Sequence, residues 1–228
     1  MTKMNPYSDE FIKLFNELEF GHERFTVFKN FVERIASCLH SSYIGNEVAA
    51  TSFATIATRY SYDDLRRVTK LLALICAALD AQKGDFLGEV FNLLGLGKSR
   101  PELTFIPYEV ALSSANEMFS KLDELMQKQP HITLLEMSCG AGSMAIAKAE
   151  VFKQRGYNVH QQLFIQCVDV NPIVTAMCYI QLTVLGVPAE VLTCNSISLD
   201  KRTARYTPAF YAFDWMQRLQ GKKPSLHS

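Results

Sequence analysis

The sequence predicts an α/β protein with a helical amino-terminal region, residues 1–102, and a partial α/β domain, residues 103–228. Two patterns carry this prediction. In the first half of the chain, apolar residues recur every three or four positions, which is typical of amphipathic helices. From Pro130 onward, short apolar runs alternate with helical stretches, a pattern typical of parallel strands joined by right-handed crossovers.

The composition is that of an ordinary globular protein. Of 228 residues, 48% are hydrophobic and 20% are charged, which excludes a disordered chain. The 23 basic residues balance the 23 acidic residues, so the bulk charge does not indicate nucleic-acid binding. No apolar run approaches the ~20 residues of a membrane span, and residues 1–10 lack a signal pattern. We therefore expect a soluble cytoplasmic protein with no membrane partner.

The helical region contains four amphipathic segments. Ser8 is expected to cap the first helix, with Asp9 and Glu10 in its first turn. The segment Ser61-Tyr62-Asp63-Asp64 resembles a capping box before the fourth helix. The four apolar stripes, which we interpret as core, are Phe11, Leu14, Phe15 and Leu18; Phe25, Phe28, Val32, Ile35 and Leu39; Val48, Phe53, Ile56 and Tyr60; and Leu65, Val68, Leu72, Ile75 and Leu79.

Glycines at 84, 88, 95 and 97 then interrupt the helical pattern around a short amphipathic piece, residues 86–94. A further helix is expected from Pro107 to about Gln129, because proline suits a first helical position. The α/β part that follows has predicted strands at 132–136, 163–169 and 189–193, with helices at 143–155 and 172–185. The aromatic tail beyond Lys201 has no assigned element, and Trp215 is expected to anchor it by packing.

The turn after the first predicted strand contains the candidate ligand-binding residues. The strand ends in Glu136, the chain turns through Gly140 and Gly142, and a helix begins. Glycines allow close backbone approach to a ligand, and a helix amino terminus offers free N–H groups. Asp169, after the second strand, stands where a carboxylate binds ribose hydroxyls in doubly wound folds. The alternative interpretation is a strand-to-helix connection whose glycines serve no ligand.

Two features argue against a dinucleotide as the ligand. The turn is not Gly-x-Gly-x-x-Gly, because Ser143, Met144 and Ala145 follow Gly142. Its head is acidic, and Glu136 would repel a pyrophosphate but suits the ammonium of a methionine moiety.

Four ordered segments carry a family resemblance. They are Asp85-Phe86-Leu87-Gly88, Thr104-Phe105-Ile106-Pro107-Tyr108-Glu109-Val110, Ser138-Cys139-Gly140-Ala141-Gly142 and Asp169-Val170-Asn171-Pro172. The segments resemble the modification subunits of type I restriction systems, which are N6-adenine DNA methyltransferases that use S-adenosylmethionine (AdoMet). The corresponding family patterns are D-x-L-G, G-Q-F-Y-T-P-x-x-V, D-P-x-C-G-x-G and E-x-N-P. The resemblance covers residues 70–200 and implies an abbreviated Rossmann-like AdoMet-dependent methyltransferase fold.

The resemblance also implies a set of cofactor-binding residues. Glu136, Ser138, Gly140 and Gly142 would line the methionine side of AdoMet; Asp169 would hold the ribose, with Asn171 beside the adenine; Asn195 would contact the adenine amino group; and Phe105 and Pro107 would close over the cofactor. The chain departs from the family pattern at Leu103 and Ile106, where the family has the polar residues Gln and Thr. Asn195 stands where the family has Asp and still offers a carbonyl acceptor.

No catalytic residue is assigned, because the base-binding motif Asn/Asp-Pro-Pro-Tyr/Phe is missing. The sequence has no adjacent prolines, and the expected region offers Tyr206-Thr207-Pro208 instead. Two classes of function remain. One is an adenine DNA methyltransferase that is incomplete as a single chain and acts with a partner subunit. The other is a noncatalytic regulatory or anti-restriction protein that mimics or partners a modification or restriction subunit.

Partners are predicted at two places. Basic residues that flank the expected cofactor cleft are candidate DNA-backbone contacts: Lys98, Arg100, Lys201, Arg202 and Arg205. A sheet with only three recognisable strands leaves an open edge and an uncovered apolar face, which proteins seldom tolerate. The aromatic tail or a second copy of the chain would cover that surface, and we expect a homodimer.

The six cysteines include no Cys-x-x-Cys pair and lie away from any pair of histidines. That spacing does not indicate a structural zinc site. Most of the cysteines fall within apolar segments, where a free cysteine behaves as a small hydrophobic residue. Cys139 in the glycine turn is interpreted in the same way.

Overall fold

The computed structural model describes residues 4–18, 23–44, 62–98, 100, 103–195 and 201–221. The amino-terminal region forms α1 (Ser8–Asn16), α2 (Arg24–Ile44), α3 (Tyr62–Ala81) and α4 (Phe86–Leu93). It is followed by α5 (Tyr108–Met118), a 3₁₀ turn (Phe119–Lys121) and α6 (Leu122–Met126). The helix expected around residues 48–60 and Ser61 of the expected capping box lie outside the described residues.

Two details of the helical predictions are wrong. Ser8 does not cap α1: it is the first helical residue, and its hydroxyl donates to Glu89 Oε1 at 2.6 Å instead. The helix expected from Pro107 to Gln129 is broken at Phe119, which leaves the helical path and lies buried against Phe152 with ring centroids 5.8 Å apart. In both places a tertiary contact replaces the local pattern.

The four described strands form one sheet in the order β1-β2-β3-β4. The strands are β1 (Ile132–Met137), β2 (Leu163–Asp169), β3 (Ala189–Cys194) and β4 (Lys201–Tyr206). The first three are parallel, as predicted, and β4 pairs antiparallel with β3. The crossovers are α7 (Ser143–Gln154) with the short α8 (Val159–Gln162), and α9 (Pro172–Val184). The chain is therefore a mixed α/β protein with a mostly parallel sheet.

One face of the sheet is covered by helices and belongs to the main core. Its buried strand residues are Ile132, Leu163, Ile165, Cys167, Ala189 and Val191. Helix α9 packs on this face, and α2 packs on α9. The amino-terminal helices add a cluster of phenylalanine rings to the same continuous core, so they are attached to the sheet by hydrophobic packing.

The other face is covered only in part. The tail forms α10 (Pro208–Ala212) and α11 (Trp215–Leu219), and it packs Phe210 and Trp215 on Phe164. Trp215 is fully buried, and its indole nitrogen donates to the His160 carbonyl at 2.7 Å, which confirms its predicted role as a packing anchor. At the β1 edge of the same face, Leu135 and Met137 remain 57% and 59% exposed. Within the described part of the chain, the tail thus covers the middle of the sheet and leaves apolar side chains at the β1 edge exposed.

Candidate functional site

The turn between β1 and α7, residues 138–142, is held in a conformation that requires glycine. Gly140 and Gly142 have positive φ angles of 53° and 103°. A Cβ on Gly142 would also lie 3.0 Å from the Cys178 sulfur, so α7 can begin this close to α9 only without a side chain. Cys139 N–H donates to the Val168 carbonyl at 3.0 Å, which ties this glycine turn to β2. The backbone conformation therefore favours glycine at both positions singled out from the sequence, and most strongly at Gly142.

Asp169 and Asn171 lie beside the glycine turn and hold it in place. One carboxylate oxygen of Asp169 accepts from Gly140 N–H and the other from Asn171 N–H, each at 3.0 Å. The Asn171 side chain caps α9 by accepting from Ile173 N–H at 2.9 Å. A carboxylate oxygen has two lone pairs, so Asp169 retains acceptor capacity for a ligand hydroxyl while it supports the turn.

Glu136 lies on the helix-covered face of the sheet, below the turn. Lys148 of α7 donates to its Oε2 in an ion pair whose two side chains are 16% and 10% exposed. Such a pair stabilises the fold only with good geometry, and removing either partner leaves a poorly solvated charge. Lys148 already supplies the positive charge that the sequence interpretation expected from a ligand ammonium. A ligand would share Glu136 with Lys148.

Two further predicted cofactor-binding residues, Ser138 and Asn195, lie at the same end of the sheet as the glycine turn. Ser138 has a positive φ of 61° and is exposed, and Asn195 is exposed just past the end of β3. Because Thr193 pairs in register with Asp169, Asn195 emerges at the same edge of the sheet. The parallel topology therefore brings Gly140, Asp169 and Asn195 to one end of the strands, where ligands bind in open α/β sheets.

Phe105 and Pro107 lie on the approach to α5. A Cβ on Gly140 would lie 3.6 Å from the Phe105 ring, and that ring packs edge-on against Phe91 at 5.3 Å. Both predicted residues line a cavity of about 250 Å³ together with Asp85 and Tyr108. The Tyr108 hydroxyl is buried and has no hydrogen-bond partner among the described residues, and burial raises the pKa of Tyr108 to about 12. Phe105 is thus the predicted residue that connects this cavity with the glycine turn.

Gln181 of α9 is a site residue that the sequence interpretation missed. Its side chain is fully buried and makes three hydrogen bonds: it accepts from Leu87 N–H at 3.0 Å and donates to Asp85 and to the Ala141 carbonyl at 2.8 Å each. Burial raises the pKa of Asp85, and the Gln181 bond opposes that rise. A single glutamine within the apolar run of α9 is a signal that could have revealed it, because buried polar groups are bonded.

The same hydrogen-bond network explains why Asp85 and Gly88 occur together in the segment from Asp85 to Gly88. Asp85 caps α4 by accepting from Gly88 N–H at 2.8 Å. A Cβ on Gly88 would lie 2.3 Å from the capping carboxylate, so only glycine fits beneath this cap. Through Gln181 the cap is joined to Ala141, which lies inside the glycine turn. Two of the segments singled out from the sequence are therefore in indirect contact.

The described basic residues that were expected to meet DNA lie in different parts of the chain: Lys98 and Arg100 follow α4, and Arg205 lies in β4. The Arg100 guanidinium lies 3.5 Å from the Phe25 ring centroid and 3.6 Å from Glu23, so it belongs to the packing of the amino-terminal region. Arg205 is partly buried on β4, and this burial lowers its pKa. Lys98 is exposed, and the side chains of Lys201 and Arg202 lie outside the described part of the chain.

Three buried cysteines converge at the glycine turn, and one of them belongs to it. The sulfurs of Cys139 in the turn, Cys167 in β2 and Cys178 in α9 are all within 4.8 Å of one another. We call this group the sulfur cluster. Hydrogen bonding with Cys139 and Cys178 lowers the pKa of Cys167, whereas hydrogen bonding with Cys167 raises the pKa of the Cys139 thiol. The spacing of these cysteines in the sequence gave no indication of this convergence.

Comparison with protein-family models, with curated proteins and with solved structures finds no match to this chain. Within the described ranges, no helix combines the length and the hydropathy needed to cross a membrane.

Proposed function

We propose that this chain binds AdoMet at the carboxyl ends of β1 and β2, in a Rossmann-like arrangement, as an N6-adenine methyltransferase-like protein. The observation that carries the proposal is the glycine turn with Asp169 bonded to it. Gly140, Gly142, Asp169 and Asn171, each singled out from the sequence, lie together at one end of a parallel sheet. Open α/β sheets bind nucleotide-type ligands at that end.

The proposed ligand orientation follows from the chemistry at each position. The methionine part lies over Gly140 and Gly142, where the backbone is bare and α7 begins. The ribose hydroxyls donate to Asp169, and the adenine lies towards Asn171 and Asn195. Phe105 packs against the ligand from the side of Gly140. Leu103 is buried and Ile106 is exposed. Because both side chains are apolar, neither supplies the polar contact of the family pattern, which favours a weak affinity for AdoMet.

Ligand-dependent stabilisation and calorimetry test the binding. AdoMet at about 100 times its Kd would stabilise the native state by about 2.7 kcal/mol. In a chain of this size the melting temperature rises by roughly 2–4 °C per kcal/mol. We expect Asp169→Ala to abolish both the shift and the heat of binding. Asp80→Ala, which removes an exposed carboxylate from α3, is the matched control and should bind normally.

An unmoved melting curve with AdoMet and with its demethylated product, together with no calorimetric heat, would show that the cofactor site is wrongly assigned. Equal loss of binding in Asp80→Ala and Asp169→Ala would show a nonspecific effect of charge rather than a ribose contact.

We propose further that the chain does not methylate DNA by itself. Adenine's exocyclic nitrogen is a poor nucleophile, and enzymes that modify a base extrude it from the duplex and bind it in a pocket. The 228 residues contain no adjacent prolines, so the motif that performs this task in the resembled family is missing from this chain.

Labelled AdoMet and unmethylated DNA test this second part. We expect no label on adenine with the purified chain alone. Label that appears only after a host extract is added would indicate a split enzyme, in which a partner subunit supplies the base-binding motif. Label transferred by the pure protein would overturn the proposal of catalytic incompleteness while leaving AdoMet binding intact.

A further inference from the structure

The sulfur cluster brings together side chains from three separate elements. Cys139 comes from the glycine turn, Cys167 from the middle of β2 and Cys178 from α9, and all three are buried. Cys194 provides a comparison within the same sheet. It is equally buried, yet it packs among Val168, Leu192 and Ala204, as expected of a cysteine that only fills space. Three convergent sulfurs form a potential ligand set that apolar packing does not require.

We propose that the sulfur cluster binds one soft metal ion, copper(I), in a three-coordinate site. Thiolates are soft ligands that select copper(I) and zinc from the common first-row metals. A metal–sulfur bond of about 2.3 Å places the sulfurs of a planar three-coordinate site about 4 Å apart. The observed separations, all within 4.8 Å, reach that geometry with small side-chain rotations.

The ligand set favours copper(I) over zinc. Structural zinc sites are closed by four protein ligands, usually cysteine and histidine. Among the described residues, no imidazole or carboxylate joins the three sulfurs within the same distance. A low-coordinate monovalent ion needs no fourth ligand. Each thiol that ligates as thiolate releases its proton to solvent, and no electron is transferred.

The position of the sulfur cluster provides an entry path for the ion and determines which elements the bound ion would connect. Cys139 is flanked by the exposed Ser138 and the half-buried Gly140, so an ion can enter from the solvent side of the glycine turn. Once bound, the ion would join the turn to β2 and α9. This inference does not depend on AdoMet binding, because none of the three cysteines is a proposed AdoMet contact.

Anaerobic titration of the reduced chain with copper(I) tests the site. We expect one ion per chain to be retained against a copper(I)-selective chelator, with a rise in melting temperature. X-ray absorption should show three sulfur ligands at about 2.3 Å. Cys139→Ala and Cys178→Ser should each weaken retention by more than about 100-fold, the upper range for losing even an indirect partner of a metal.

The control variants are cysteines outside the cluster. Cys194→Ser removes a buried thiol and Cys76→Ser an exposed one, and both should retain copper(I) at the native level. Apo-protein unfolding curves identify any variant that has lost its fold. Release of copper(I) by the native chain to the chelator, or native-level retention by folded Cys178→Ser, would overturn the proposal. So would a preference for zinc with a fourth, non-sulfur ligand.

Discussion

At the scale of single residues, Gly142 combines a positive φ of 103° with a close approach to Cys178. We expect Gly142→Ala to lower the free energy of unfolding by about 1–3 kcal/mol through its left-handed conformation. A further cost of about 1–3 kcal/mol should come from crowding Cys178, since the new Cβ would lie 3.0 Å from its sulfur. Denaturant unfolding measures the sum.

Gly156 provides the matched control for this substitution. It has a similar positive φ, 86°, but no atom lies within 4 Å of the position its Cβ would occupy. Gly156→Ala should therefore show only the conformational cost. Equal losses for the two variants would mean that the close approach of α7 to α9 contributes nothing to stability.

Gln181 supports a second prediction at the same scale. Gln181→Met keeps the size of the side chain but leaves Leu87 N–H, Asp85 and the Ala141 carbonyl without this partner. Unsatisfied buried groups cost about 1–3 kcal/mol each, so we expect a loss of at least about 3 kcal/mol. Gln154→Met removes an exposed glutamine from α7 and should be nearly neutral.

The Gln181→Met loss should also depend on pH in a direction set by Asp85. Burial raises the pKa of Asp85 in the folded state, so its contribution to stability is greatest at acidic pH and declines as pH rises through the folded pKa. Without Gln181, that pKa rises further. Comparing unfolding at about pH 4 and about pH 7 should therefore show a larger deficit at pH 7. A deficit that is constant or larger at pH 4 would contradict the assignment.

Single residues also show which features of the turn the sequence could indicate. Gly140, Gly142 and Asp169 could be singled out because a glycine turn and the end of a strand can be recognised from the residues next to them in the sequence. The ion pair between Glu136 and Lys148 could not be predicted, because Lys148 reaches Glu136 only after α7 folds back over β1. The partners of Gln181 could not be predicted for the same reason, because they are distant in sequence and only packing brings them together; the glutamine itself could have been noticed within the apolar run of α9.

At the scale of elements, the tail provides the clearest test. Trp215 is fully buried on Phe164, with ring centroids 5.5 Å apart. We expect Trp215→Ala to lower the free energy of unfolding by about 3–5 kcal/mol and to release α10 and α11 to proteolysis. The adjacent Met216 is 57% exposed, so Met216→Ala should change stability by less than about 0.5 kcal/mol. If the tail stays protease-resistant in Trp215→Ala, contacts other than those of Trp215 hold it on the sheet.

The elements differ in how well their sequences predict them. Strands β1, β2 and β3 are short apolar runs bounded by turns, and each was located to within one residue of its observed end. Strand β4 was missed because its sequence, Lys-Arg-Thr-Ala-Arg-Tyr, has no apolar run. It is an edge strand that depends on backbone pairing with β3, and charged side chains are common at such edges.

At the scale of the whole molecule, the helical region and the sheet share one hydrophobic core. Periodicity predicted both, but not that Phe11, Phe28 and Phe86 would join the sheet residues in one hydrophobic core. The Asp85–Gln181–Ala141 bonds add a polar connection between α4 and the glycine turn. Truncating the helical region would therefore remove support from the candidate site as well as from the core.

The bare β1 edge leads to the last prediction, which concerns assembly. Strand β1 ends the described sheet, and Leu135 and Met137 project from it with more than half of their surfaces in solvent. An unpaired strand edge beside apolar side chains is a template for pairing with another chain. We expect a homodimer at micromolar concentrations, measured by light scattering, in which two β1 edges associate.

Charge placed on that edge should dissociate the dimer, because edge charges oppose strand pairing and desolvation. Leu135→Glu and Met137→Glu both leave the core untouched and should give monomers of native stability. Leu93→Glu is the matched control, since Leu93 is 47% exposed on α4, away from the sheet edge. A native chain that scatters as a monomer would show that β1 tolerates solvent unaided, and a dimer that persists in Leu135→Glu would place the interface elsewhere.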